Sequence, residues 1–306
     1  MATSITTTYA GEFAGKYISA ALLSADTIEG GGITVKPNVK YKEVIKTLST
    51  NALVKDAACD FADQSTVTLA ERVLQPEEFQ VNLELCKKDF HNDWEAVQMG
   101  YSAFDSLPPS FADFLIGHIA AKVAQKTEEN IWQGVTANAG EFDGFETLLA
   151  ADASVIDVVG TTVTAANVIT EMGKVVDAIP TAVYGKEDLY IYASSNVARA
   201  YIRALGGFGA SGLGAAGLNN EGTTWYNGGD LAFDGVKIFV CSGMSDNTMV
   251  AAQKSNLFFG TGLLADHNEV KLIDMADLDG SQNVRVVMRF TAAVQHGIGA
   301  DIVLYS

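Results

Sequence analysis

The chain has 306 residues, of which 48% are hydrophobic and 19% charged, a composition typical of a protein with a sizeable folded core. Its 37 acidic residues outnumber its 20 basic ones, for a net charge of −17. This charge argues against a protein that reads nucleic-acid sequence, because an acidic surface repels phosphates. The N-terminus lacks the features of a signal peptide, and no stretch approaches the roughly 20 apolar residues of a membrane span. We therefore expect a soluble protein that is not secreted by that route.

Three cysteines, Cys59, Cys86 and Cys241, are isolated in the sequence. Their number is odd and no C-x-x-C occurs, so neither a disulfide framework nor a zinc site is indicated. They suit a reducing cytosol.

The first third of the chain has an extended character. Residues 1–34 predict a mostly extended arm with one short helix near 10–23. TVTLAERVL (66–74) and EFQVNLELC (78–86) alternate apolar and polar residues, which predicts strand–turn–strand across Gln75–Glu77. Residues 39–49 are a third candidate, either a strand or a short helix.

Charge is segregated within this region. Residues 36–55 hold five lysines against one glutamate, a net of +4, and residues 56–84 hold seven acids against one arginine, a net of −6. Such flanks of opposite sign can guide association between subunits, although by default each is a solvated strand face.

The middle of the chain is predicted to be helical. Residues 108–134 begin with two prolines, carry Ser110 and Asp113 in a spacing that resembles a capping box, and end at Gly134. Residues 140–149 are predicted to form a turn and strand-like connector. Helices are expected over 165–180 and 194–205, with a strand over 188–193 between them.

The last part is predicted to be β-structure. Alternation and short apolar runs place strands at 236–241, 248–253, 257–263, 269–275, 283–295 and 300–305.

Residues 206–217, GGFGASGLGAAG, contain two copies of G-x-G-x-x-G. A dinucleotide site needs a strand before these glycines and a helix after them, whereas here a predicted helix comes first and no helical periodicity follows. No G-K-[ST] follows either, which excludes a P-loop. We interpret the stretch as a loop that becomes ordered against a partner.

No catalytic, cofactor-binding or metal-binding residue is predicted, and no cofactor. His91, Asp93 and Glu95 have a strand-like spacing, but no fourth ligand accompanies them. His118 is expected at the edge of the core on the long helix. The remaining histidines are isolated, and neither G-x-S-x-G nor H-E-x-x-H occurs.

The extended front region poses a physical problem, because a two-stranded hairpin alone is marginal in water. The simplest solution is a surface on a neighbouring copy of the same chain.

In order and spacing, the sequence resembles the major capsid proteins of tailed double-stranded DNA bacteriophages. The stretches that carry the resemblance cover essentially the full chain: TVTLAERVL, ELCKKDFHNDWEA, PPSFADFLIGHIAAKVAQKTEENIWQG, EFDGFETLL, FDGVKIFVCSGM, MVAAQKSNLFFGTGLLAD and VRVVMRFTAAVQHGIGADIVLY. The resemblance implies an α+β fold with an N-terminal arm, an extended β-hairpin called the E-loop, a peripheral domain with a long spine helix, and an axial domain. The implied division is 1–34 for the arm, 35–90 for the E-loop, 91–165 for the peripheral domain with spine helix 108–134, 166–268 for the axial domain, and 269–306 for strands that return to the peripheral domain. The 206–217 loop would then project towards the capsomer centre.

The implied function is structural, not enzymatic. Copies of the chain would form pentamers and hexamers of an icosahedral or prolate shell around packaged double-stranded DNA, which the acidic chain would contact weakly. Expected partners are other copies, a portal, decoration proteins and a scaffolding protein. The scaffold is expected to be separate, with no large cleaved pro-segment, because only about 30 residues precede the hairpin. The expected location is the virion capsid, and the host cytoplasm during assembly, with no membrane contact.

Two alternatives remain open at this stage. One is an encapsulin-type compartment of the same fold that holds a cargo enzyme. The other is a nucleotide-dependent oxidoreductase based on the glycine loop.

Overall fold

The computed structural model describes residues 25–50, 54, 56–57, 59, 66–87, 109–205, 231–262 and 271–306. Six helices lie in this part of the chain: α1 (Asp26–Glu29), α2 (Pro109–Gln133), α3 (Phe145–Ala151), α4 (Val168–Ala178), α5 (Ser195–Leu205) and α6 (Ala276–Asp279). Thirteen strands accompany them: β1 (Thr34–Pro37), β2 (Glu43–Thr50), β3 (Val67–Leu74), β4 (Glu77–Cys86), β5 (Ile156–Val158), β6 (Leu189–Ser194), β7 (Ala232–Phe233), β8 (Val236–Cys241), β9 (Met249–Gln253), β10 (Leu257–Thr261), β11 (Lys271–Asp274), β12 (Asn283–His296) and β13 (Val303–Tyr305).

The strands form three sheets. A six-stranded sheet has the order β5-β13-β9-β6-β8-β7. A five-stranded sheet has the order β1-β10-β12-β11, and its fifth strand, β4, also pairs with the long strand β12. Strands β2 and β3 form a separate two-stranded sheet. The mixture of helices with these sheets confirms the predicted α+β class.

The six-stranded sheet is buried on both faces, because its strands alternate between two cores. Leu189, Ile191 and Ala193 of β6 pack with α4 and α5 in one hydrophobic cluster. Tyr192 of the same strand packs in the other cluster with the end of α2, with α3 and with parts of β10 and β12. Burial on both faces explains why these strands read as short continuous apolar runs.

The long helix α2 is confirmed, with 25 residues from Pro109 to Gln133 and a length of about 37 Å. It begins at Pro109, a position where the missing N–H costs nothing, so Ser110 lies within the first turn and is not the predicted cap. Ile119 and Ile131 are buried as predicted, and His118 beside Ile119 is exposed.

The connector at 140–149 was wrongly predicted as strand-like, because residues from Phe145 onward form helix α3. Phe145 and Leu149 are fully buried one helical turn apart, which is the spacing that places two side chains on the same face of a helix. The other predicted helices and strands of the described residues are present, with ends shifted by a few residues.

The pairing of the front strands also differs from the prediction. Strand β3 pairs with β2, from Glu43 opposite Leu74 to Thr50 opposite Val67, and β4 instead pairs with β12. The connection between β3 and β4 is Gln75-Pro76, which lacks the positive-φ residues that a two-residue hairpin needs. The chain therefore bends from one sheet into another.

The last strand, β13, lies in a different sheet from β11 and β12, although 269–306 was predicted to return as one set of strands. Strand β13 pairs with β9 and β5 in the six-stranded sheet, while β11 and β12 lie in the five-stranded sheet. Residues 271–306 therefore contribute to both sheets.

Candidate functional site

The β2–β3 hairpin presents an apolar stripe on one face. Residues directly opposite in an antiparallel pair share a face, and alternate pairs point to opposite faces. Val44 opposite Val73, Leu48 opposite Leu69, and Val67 therefore lie on one side. All five side chains are exposed, with Leu48 at 61% and Leu69 at 72%. Lys46 opposite Glu71 lies on the same side, between the two apolar pairs. Exposed apolar side chains grouped on one face in this way are typical of an interaction surface.

The two faces of the hairpin differ in their surroundings. The opposite face carries Ile45, which is 8% exposed, and Arg72, which lies opposite Ile45. Beyond them that face continues with Thr47 opposite Ala70 and then with Ser49 opposite Thr68. Ser49 and Thr68 are both polar and exposed. Only the near end of the hairpin thus contacts the body among the described residues, and the apolar stripe faces away from that contact.

A small hydrophobic cluster holds the near end of the hairpin. Leu74 is fully buried and packs with Ile45, Ala293 and Phe258. The amide of Gln295 in β12 also donates to the carbonyl of Val73 at 3.2 Å. These contacts attach the hairpin to β10 and β12.

An ion pair joins the near end of the hairpin to a second part of the body. The guanidinium of Arg72 contacts Asp152 Oδ2, and Asp152 directly follows α3. Its other oxygen, Oδ1, accepts hydrogen bonds from the backbone N–H and the hydroxyl of Ser154 at 2.9 and 2.8 Å. His296, the last residue of β12, lies 2.8 Å from Asp152 Oδ2 through its Nε2.

The pKa values of this group follow from burial and from the neighbouring charges. Burial lowers the pKa of His296, against a smaller opposing effect of Asp152. Burial alone would raise the pKa of Asp152, but hydrogen bonds from His296, Ser154 and Arg72 together lower it well below its ordinary value. At neutral pH the group therefore holds one carboxylate, one guanidinium and one neutral imidazole.

An apolar groove of about 390 Å³ lies between β4 and α2. Phe79, Val81 and Leu83 line one wall, and Ile119 and Val123 line the other. The half-buried state of alternate residues in β4 follows from this position.

The rim of the groove is charged. Lys126 contacts Glu141 at 2.7 Å and Glu129 at 3.6 Å. The hydrogen bond from Lys126, with further bonds from Asn138 and the backbone of Val135, lowers the pKa of Glu141 to about 2.

A buried polar group anchors residues 25–32 beneath α2. Glu128 accepts hydrogen bonds from the backbone N–H and the hydroxyl of Thr27, and the indole N–H of Trp132 donates to the same hydroxyl oxygen at 2.8 Å. Burial raises the pKa of Glu128, although the Thr27 hydrogen bonds oppose the shift. The tyrosine hydroxyl of Tyr192 donates to the carbonyl of Gly32, which extends this anchor.

The structure brings together few of the residues that were considered as candidate site residues from the sequence. His91, Asp93, Glu95 and residues 206–217 lie outside the described residues. All three cysteines are free thiols, of which only Cys241 is buried. Within the described ranges no group of three or more His, Cys, Asp or Glu side chains could hold a metal, and no helix there is long and apolar enough to cross a membrane.

Sequence reasoning missed the group formed by Arg72, Asp152 and His296. These residues are 80 and 144 positions apart, and each lies in a stretch without a motif. Only Arg72 carried a signal, as the single base in an otherwise acidic segment.

Comparison with known proteins gives structural matches only. No family model matches the sequence, and no curated protein matches it. Among solved structures, the capsid of a native GTA particle has a TM-score of 0.61 at 15% identity over 100% of this chain and 94% of its own. A structure from Microbacterium phage Oxtober96 has a TM-score of 0.59 at 13% identity over 100% and 95%. A virus-like particle from Pyrococcus furiosus has a TM-score of 0.54 at 8% identity over 95% and 98%.

These matches define the class of fold. The chain has an α+β fold that is shared, over nearly its full length, with subunits of phage capsids and virus-like particles. The likeness to these capsid and particle subunits confirms the fold that the sequence predicted.

Proposed function

We propose that this chain is the major capsid protein of a tailed double-stranded DNA phage, and that it assembles with many copies of itself into pentamers and hexamers of an icosahedral or prolate shell. The observation that carries the proposal is the β2–β3 hairpin, which has five exposed apolar side chains on one face and attaches to the body at one end. The full-length likeness in fold to phage capsid structures supports the same function.

The hairpin requires a partner for a physical reason. Two strands alone do not bury enough apolar surface to be stable in water. Burial of apolar area is favourable by about 25 cal/mol per Å², so covering the stripe formed by Val44, Leu48, Val67, Leu69 and Val73 against a neighbouring copy stabilises both the hairpin and the contact. Many weak contacts in a closed shell reinforce one another, since each copy is already held by its other neighbours.

We assign the parts of the chain accordingly. Residues 35–90 would form the E-loop, 91–165 the peripheral domain with α2 as its spine helix, and 166–268 the axial domain. The arm is 1–34, and 269–306 contributes strands to both sheets. The order of these segments along the chain supports the assignment.

The remaining expectations concern partners and location. The net charge of −17 favours weak contact with packaged DNA, because few phosphates are neutralised. The proposed partners are a scaffolding protein, a portal and decoration proteins. The proposed location is the virion capsid, and assembly is proposed to take place in the host cytoplasm. The role is structural and not catalytic, which the likeness to capsid subunits supports.

Electron microscopy of purified particles tests the proposal with a matched pair of variants. Leu48→Asp/Leu69→Asp places two carboxylates on the apolar stripe, whereas Ser49→Asp/Thr68→Asp places the same charges on the polar face of the same hairpin. Closed particles are expected from the natural chain and from the polar-face variant, and unassembled but folded subunits from the stripe variant. Particles from the stripe variant, or a natural chain that stays monomeric with or without a scaffold, would count against the proposal.

The content of the particles separates the phage capsid from the encapsulin-type compartment, which shares the fold. Packaged DNA in particles from the host supports the capsid, and an enclosed enzyme supports the compartment. The alternative of a nucleotide-dependent oxidoreductase predicts that the chain binds NAD or NADP with micromolar affinity. Titration followed by tryptophan fluorescence measures this binding.

A further inference from the structure

We propose that Asp152 is a positioning residue that ties the β2–β3 hairpin to the body through Arg72, and that His296 loosens this tie at mildly acidic pH. The inference rests on the proposed function, because it concerns the element that we propose reaches a neighbouring copy. It adds a control by pH over how firmly that element is attached to the body.

The geometry gives Asp152 its role. Its Oδ2 contacts two partners at once, Arg72 from the hairpin and His296 from the end of β12, while Ser154 holds Oδ1. A β-carbon on Gly299 would lie 2.7 Å from Asp152 Oδ2, so the turn after β12 fixes the carboxylate from a further side. The hairpin, in contrast, holds Arg72 on an exposed two-stranded element.

The two partners of Asp152 differ in burial. This difference decides which of them moves away when His296 is protonated. The His296 side chain is 1% exposed and that of Arg72 is 29% exposed. His296 lies within the packed end of β12, whereas the guanidinium has a path to solvent. If the carboxylate cannot hold both partners, Arg72 is the group that moves.

Protonation of His296 creates this competition. The neutral ring donates from Nε2 to Asp152, and its Nδ1 is buried with no hydrogen-bond partner among the described residues. A second proton would place an N–H at that unpartnered position, which is unfavourable in a buried site. It would also place two cations beside one carboxylate. The charged groups that act on the ring are Asp152 and Arg72.

The sign of the pH effect follows from the charge of Arg72. Burial is the largest cause that lowers the pKa of His296, and the Arg72 charge lowers it further. His296 stays buried when the hairpin opens, but the Arg72 charge is removed, so the pKa of His296 is higher in the open state and protonation favours opening. The hairpin is therefore expected to be held at neutral pH and loosened as the pH falls through the range in which His296 takes up a proton.

Hydrogen exchange of the unassembled full chain at pH 7.5 and 5.5 tests this proposal, with rates corrected for the intrinsic effect of pH. Protection of β2 and β3 is expected to fall roughly tenfold more than that of β6 and β9, the size of a one-unit change in proton affinity. His296→Gln keeps a side-chain donor but cannot be protonated, so the extra fall should disappear. Arg72→Gln should give low protection at both pH values with no further fall.

Arg285→Gln is the matched control, because Arg285 pairs with Glu84 on the exposed face of the β4–β12 pair and lies outside the junction. It should behave as the natural chain does. If His296→Gln fails to fold, the test passes to Arg72→Gln, since Arg72 lies on the exposed hairpin. Protection of the natural hairpin that is unchanged by pH would overturn the proposal, as would a persistent pH response in Arg72→Gln or His296→Gln. These measurements use free subunits, so their failure is distinguishable from a failure to form shells.

Discussion

Leu74 occupies the space that a side chain at position 260 would need: a β-carbon on Gly260 would lie 2.8 Å from Leu74 Cδ2. Strand β10 thus forms a recess at Gly260, and the buried end of the hairpin fits into it. The hairpin is joined to the body by this recess and by the Arg72–Asp152 ion pair, while its apolar stripe stays exposed.

Leu74→Ala is expected to lower the free energy of unfolding by about 2–4 kcal/mol, the usual cost of removing a buried leucine side chain. Chemical denaturation of the free subunit measures the loss. Leu69→Ala is the control, because Leu69 lies on the same strand but is 72% exposed, and the expected change there is within about 0.5 kcal/mol. Equal effects of the two variants would show that Leu74 does not anchor the hairpin.

Two glycine substitutions should act in opposite directions. A β-carbon on Gly243 would collide with the backbone of Glu128, whereas one on Gly173, in the middle of α4, would meet nothing within 4 Å. Gly243→Ala should therefore destabilise the subunit by about 2 kcal/mol or more through backbone displacement, and Gly173→Ala should stabilise it by about 0.5–1 kcal/mol through helix propensity. Thermal unfolding of both variants checks the pair, and a stabilised Gly243→Ala would contradict the packing of residues 241–244 against α2.

Glu128→Gln should change how stability depends on pH. Burial raises the native pKa of Glu128 above its unfolded value, so the native state binds the proton more tightly. Its contribution is therefore most favourable at low pH and is lost as pH rises above about 4.5. Relative to the glutamine variant, the natural chain should be more stable at pH 4.5 than at pH 7.5. Denaturation of both proteins at both pH values measures this effect. If the stability difference between the natural chain and the glutamine variant is the same at pH 4.5 and pH 7.5, the carboxyl is not desolvated.

Lys126→Met should raise the pKa of Glu141 from about 2 towards the ordinary value of 4.5, because the hydrogen bond from Lys126 is the largest cause of the lowering. A titration of the Glu141 carboxyl followed by NMR measures it. The bonds from Asn138 and Val135 remain, so the return should be incomplete. Lys122→Met, which leaves the contact between Lys126 and Glu141 intact, is the control and should leave the titration unchanged.

Much of the local structure could be predicted from the sequence. The helical spacing of apolar residues located α2, α4 and α5, and alternation located β3, β4 and β12. The exception, α3, shows the limit of this reasoning. Its seven residues give fewer than two full turns of pattern, too few to distinguish a helix from a strand.

The candidate site was predicted less completely. The exposed hairpin and its need for a partner were expected, but not its strand pairing or its attachment. The interpretation of 66–86 as one hairpin failed because neighbouring strands in sequence need not pair, and Gln75-Pro76 does not form a tight hairpin turn.

By itself, the sequence determined the class of fold, the positions of most helices and strands, and the extended character of the front region with its need for a partner surface. These properties depend on periodicity and charge within short stretches, which a reader of the sequence can see. Only the tertiary structure decided that β3 pairs with β2, that β12 joins β4 to β10 and β11, and that Arg72, Asp152 and His296 meet. Those contacts join segments that are distant along the chain, and their formation depends on how all the intervening elements pack.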